Sequence, residues 1–176
     1  MKVLPEVNVQ QGELSFNVSE LQLTSEELTR LLSRLQKIGG WRGNPTLKNG
    51  VIRVQPASTV IGKVDRLRDK VERVIARSAR EAELYKLDPR TYITWVKGNR
   101  YTVRLLTAFG LGEEDVRELA ATLRSNRKVM DVKVVDARVG RDGELTITTH
   151  GHQRDEKLMS DLQGTIITVA ACRHAV

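Results

Sequence analysis

The chain has 176 residues, with 29 Lys and Arg against 22 Asp and Glu, a formal charge of +7, and a composition that is 40% hydrophobic and only 4% aromatic. At this length a core can bury about two-thirds of the unfolded chain's surface without staples, and ordinary Gly and Pro usage with mixed charge excludes collagen-like repeats and wholesale disorder. The single cysteine, Cys172, excludes an internal disulfide and with it a disulfide-stapled secreted scaffold.

The first segment alternates apolar and polar residues, Val7 and Val9, then Leu14, Phe16 and Val18, around a break at Gln11-Gly12. Period two about a glycine predicts a β-hairpin. Thr24-Ser25-Glu26-Glu27 has the spacing of a capping box, so a helix is predicted over 25–38, with Leu28, Leu31, Leu32, Leu35 and Ile38 on one stripe and Gly39-Gly40 as its stop. Residues 39–50 are dense in turn formers and read as a loop carrying Trp41, Arg42 and Lys48. A short strand follows at Val51–Val54, ended by Pro56.

The longest helix is predicted from Val60 to about Leu87, where Asp88-Pro89 breaks it. On a helical wheel Val64, Leu67, Val71, Val74 and Ile75 make a buried face, continued by Ser78, Ala82 and Tyr85. Arg66, Lys70, Arg73, Arg77 and Arg80 form a second stripe about 120° away, and Asp65, Asp69 and Glu72 form a third. Between Lys63 and Arg80 there are seven basic and three acidic residues. Five cations in line could follow successive phosphates. The alternative is a solvated face, partly neutralised by i,i+4 pairs such as Asp69 with Arg73 and Arg77 with Glu81. Trp41 likewise has two readings. With Arg42 and Lys48 its indole could stack on an unpaired base, or it could close over the first helix as a lid on the core.

Beyond Pro89, strands are expected at 91–96 and 100–109, joined by a turn at Gly98-Asn99 whose leading glycine suits type II′. A helix over 113–124, strands at 129–139 and 144–149, a helix over 155–163 and a last strand over 165–172 complete the chain. That order predicts an α+β protein whose C-terminal part is a ferredoxin-like split βαβ sheet with parallel first and third strands. The expected organisation is an N-terminal annex of hairpin, helix and basic loop (1–56), a long amphipathic connecting helix (57–88) and the ferredoxin-like domain (89–176). No internal repeat is evident. Parity along the strands sends Val103, Leu105, Leu145 and Ile147 toward the helices and Thr102, Arg104, Leu106, Thr146 and Thr148 outward, without the aromatics of an RNA-recognition sheet.

His150, His152, Cys172 and His174 form two i,i+2 groups of zinc-ligating types. In the ferredoxin-like arrangement their strand ends lie at opposite sheet edges, roughly 17 to 20 Å apart, so no zinc site within one chain and no cofactor are expected. Asp131-Val-Lys133 has the Asp-x-Lys spacing of metal-dependent nucleases, but without a convincing upstream carboxylate it also fits a strand face of alternating charge. No secretory signal, spanning segment or nucleophile elbow is present, which leads to an expectation of cytoplasmic residence in a prokaryote or an infected cell. The function expected is non-enzymatic binding of a nucleic-acid backbone, or of an acidic protein surface, within a larger homo- or hetero-oligomeric assembly. The alternatives are a structural subunit of a viral particle or other complex, and a metal-dependent nuclease.

Overall fold

The computed structural model describes residues 7–10, 12–104, 111–125, 134–150 and 156–173. The protein is α+β, with two four-stranded antiparallel sheets. It divides into two compact units, with the boundary between Ala82 and Glu83.

In the first unit β1 (Val7–Gln10) and β2 (Glu13–Asn17) form the expected hairpin. Helix α1 (Ser25–Ile38) starts on a complete capping box: the Glu27 amide donates to Thr24 Oγ1 at 3.3 Å, and the Thr24 amide donates to Glu27 Oε2 at 2.8 Å. Next comes a second hairpin, β3 (Thr46–Lys48) and β4 (Val51–Val54), and then α2 (Ile61–Tyr85). The sheet order is β1-β2-β4-β3. Alternation places Leu14 opposite Val54 and Phe16 opposite Ile52, and all four are buried with Leu31 and Leu35 of α1 and Val71 and Ile75 of α2. The long helix is therefore part of the first core and not only a connector.

Strand β3 lies inside the segment expected to be loop. Asn49 and Gly50, both with positive φ (52° and 71°), form the two-residue connection that a type I′ hairpin demands. The Asn-Gly pair was the signal, hidden among neighbouring turn formers.

The second unit contains β5 (Ile93–Lys97), β6 (Arg100–Val103), α3 (Glu113–Ser125), β7 (Val134–Val139), β8 (Leu145–Thr149) and α4 (Glu156–Arg173). Gly98, with φ 58°, leads the β5–β6 turn. The sheet order is β5-β6-β8-β7, and Tyr101 opposite Ile147 and Val103 opposite Leu145 are buried against residues of α3 and α4. Parity holds for the strands that are described: Val103, Leu145 and Ile147 are buried, while Thr102, Thr146 and Thr148 are half-buried on the other face. Leu105 and Leu106 lie outside the described residues.

The ferredoxin-like details need correction. The first and third strands of that scheme, β6 and β8, are neighbours but antiparallel; the strands that run in the same direction are β6 and β7, joined through α3 and split by β8 between them. Where a last strand was expected over 165–172, α4 continues unbroken from residue 156 to 173. Thr165-Ile166-Ile167-Thr168-Val169 is rich in β-branched residues, yet a short apolar run does not distinguish a buried strand from a buried helix. Tertiary burial decides it: every residue from Leu162 to Ile167 is buried, and Thr168 Oγ1 donates to the Gly164 carbonyl one turn back.

With α4 in place, the two units share one architecture among the described residues: hairpin, helix, hairpin, helix, with the second hairpin added in reversed order to the sheet. Leu14 and Phe16 in one unit stand where Tyr101 and Val103 stand in the other, and Ile52 and Val54 correspond to Leu145 and Ile147. The repeat is one of topology and burial. The identities differ at all four positions, which is why reading residue by residue missed it.

Both edge strands of the second sheet carry an extra residue. Val96 on β5 and Val135 on β7 interrupt the register and are 46% and 58% exposed. Such bulges twist and blunt an edge. Tyr92, just before β5, is buried, and burial pushes its hydroxyl up to about 12 against the smaller opposing effect of the nearby Gln163 side chain.

Candidate functional site

The cationic stripe of α2 does not behave uniformly. At its C-terminal end Arg77 Nε donates to Glu81 Oε1 at 3.0 Å. The other carboxylate oxygen of Glu81 meets Arg34 Nη2 of α1 at 2.7 Å, and Arg34 Nη1 donates to Ser78 Oγ at 3.0 Å. Glu81 is only 9% exposed, so its charge is shared between two guanidinium groups in a largely desolvated corner. Arg77 is thus satisfied within the molecule, and Arg80 is half-buried and also engaged.

Arg66, Lys70 and Arg73 differ. All three are exposed, and they form no ion pair among the described residues. The acidic stripe that could have neutralised them turns the other way. Arg68 collects Asp65, Asp69 and Glu72 at 3.7, 3.8 and 3.9 Å. These distances exceed a hydrogen bond, so the grouping is one of proximity and partial neutralisation, worth little individually in solvent. Its consequence is electrostatic separation: the carboxylates cluster around Arg68, and the expected Asp69–Arg73 pair does not form.

Lys63 belongs with the free cations. It is exposed, unpaired among the described residues, and two turns before Lys70. The i,i+7 spacing from Lys70 was the available signal. From Lys63 to Arg73 the ridge extends roughly 15 Å along the helix axis.

The loop residues divide too. Trp41 is half-buried against the first core, its backbone bridges Pro56, and its indole N–H donates to the Leu35 carbonyl at 3.0 Å. That carbonyl is among those left open at the end of α1, so the ring serves as lid and cap together. Trp41 therefore leaves the set of candidate base-stacking residues. Arg42 and Lys48 remain exposed. The loop begins against α2, since a Cβ built on Gly40 would stand 3.5 Å from Leu67 Cδ1. Tyr85, expected on the buried face of α2, is exposed at the helix end.

No group of three or more His, Cys, Asp and Glu among the described residues could hold a metal. His150 and Cys172 are exposed, and His152, His174, Asp131 and Lys133 lie outside the described residues. The strand-end separation argued for the histidines does not apply, because Cys172 is on a helix. No helix among the described residues is long and apolar enough to cross a membrane. Comparison with protein-family models, curated proteins and solved structures finds no match.

Proposed function

We propose that this protein is a non-enzymatic component of a larger assembly that binds a nucleic-acid backbone through the exposed cations of α2, with Arg42 contributing from the adjoining loop. Lys48 is not assigned to the interface, because its neighbour Leu47 faces the core with the helices and Lys48 faces the other side of the sheet. The observation that carries the reading is the separation of charge on α2. Arg68 gathers three carboxylates, while Lys63, Arg66, Lys70 and Arg73 stay exposed and unpaired among the described residues. Unpaired cations held in line on a rigid helix release condensed counterions when they meet phosphate, which favours binding at low salt. Arg77 and Arg80 are not assigned to the interface, because internal partners occupy them.

The test is fluorescence anisotropy with labelled nucleic acid at low ionic strength. Joint replacement of Arg66, Lys70 and Arg73 by Ala is expected to weaken binding at least tenfold while leaving the melting temperature within a few degrees. Unchanged affinity eliminates the reading.

A second reading, a structural subunit contacting copies or partners, draws support from Val60 and Ile61, which are 58% and 78% exposed at the start of α2. It predicts a defined oligomer by light scattering, and a monomer at high concentration counts against self-association.

A further inference from the structure

Resting on the backbone-binding reading, we infer that the preferred ligand is a duplex, held along one strand from outside the grooves and without recognition of base sequence. Three observations converge on this mode of binding.

The first concerns aromatic side chains. Sequence-tolerant binding of single strands combines a basic groove with aromatic faces on which bases stack. The segment up to Ala82 contains only two aromatic residues, Phe16 and Trp41. Phe16 is fully buried, and Trp41 is packed on the core with its N–H occupied. Tyr85, exposed at the end of α2, is twelve residues and so about 18 Å beyond Arg73. Beside the ridge itself stacking has no platform, so affinity must come from phosphate charge, and a duplex offers about twice the axial charge density of one strand.

The second is rigidity. Lys63, Arg66, Lys70 and Arg73 stand on an uninterrupted helix whose other face is fixed in the core by Val71 and Ile75. A straight, inflexible row of charges suits a stiff polymer more than a flexible one.

The third observation excludes groove insertion. A helix lying in the major groove has phosphates on both flanks. The flank of α2 beside this ridge carries Asp65, Asp69 and Glu72, three carboxylates to the single Arg68. A second strand on that side would be repelled, so α2 meets one backbone and leaves the base edges unread.

The experiment compares the full chain's affinity for a labelled 20-base-pair duplex, one of its separated strands, and a second duplex of unrelated sequence, at several salt concentrations. The expected result is at least fivefold tighter binding to either duplex than to the strand. The two duplexes should agree within about threefold, and log K should fall against log salt with a slope of about −3 to −4 for four phosphate contacts. Lys70→Ala should reduce the steepness by about 0.9. Equal or tighter binding of the strand, or a more than tenfold difference between duplexes, overturns the inference while leaving backbone binding intact. No binding to any of the three at low salt overturns the functional reading and this inference with it.

Discussion

Arg34 Nη2 on α1 lies 2.7 Å from Glu81 Oε2 on α2, and the same carboxylate accepts from Arg77. The contact ties the two helices of the first unit beside its core. It also sets where the cationic ridge ends, because a guanidinium already committed to a buried carboxylate is a poor partner for phosphate. Glu81→Gln should destabilise the first unit by roughly 2 kcal/mol, below the full cost of breaking a buried pair because both arginines keep partial access to water. Urea unfolding measures this, and an unchanged midpoint would show that the triad contributes little.

Trp41 supplies a separate test of the lid. Trp41→Phe keeps most of the ring's area but removes the donor to the Leu35 carbonyl, for an expected cost of about 1 kcal/mol. Trp41→Ala should cost about 3 kcal/mol. Nucleic-acid affinity per folded molecule should stay within about twofold for Trp41→Phe. A large loss of affinity with unchanged stability would return the indole to the interface.

Gly50 combines two constraints. Its φ of 71° suits glycine, and an added Cβ would stand 2.8 Å from Ser19 Cβ. Gly50→Ala is expected to destabilise by about 1 to 3 kcal/mol through backbone strain and this contact. Gly43→Ala, where φ is 74° but nothing lies within 4 Å, should cost less. Thermal melts of the pair separate the steric contribution from the conformational one.

The second unit should show alkaline sensitivity centred on Tyr92. Its hydroxyl is raised from 10.0 to about 12, chiefly by burial, so the fold favours the neutral phenol. That contribution is fully present below pH 10 and is lost as pH rises through about 12. Between pH 9 and about 11.5 the native protein should lose roughly 2 kcal/mol more than Tyr92→Phe, which has nothing to ionise there. Parallel pH dependence of the two would show that the phenol is not the titrating group.

Local signals in this sequence were legible wherever a short-range rule was sufficient. Thr24 and Glu27 marked the start of α1, the Lys97–Arg100 spacing marked the β5–β6 turn, and the apolar stripe of α2 named Val71 and Ile75. What failed depended on tertiary context. The Ile166-Ile167 run is helical because it is buried on all sides, and the expected last strand is lost with it. The candidate site was partly readable. The wheel placed the cations on one face, but it could not show that Glu81 would be drawn to Arg34 from another helix, or that Arg68 would attract the carboxylates expected to pair with the ridge.

The kinked rims of the second sheet matter most under crowding. At high local concentration, smooth and flat strand margins pair with those of neighbouring molecules and grow into fibres. With Val96 and Val135 pushing the backbone out of line on both margins, the second sheet presents no smooth edge onto which the strand of another copy could add.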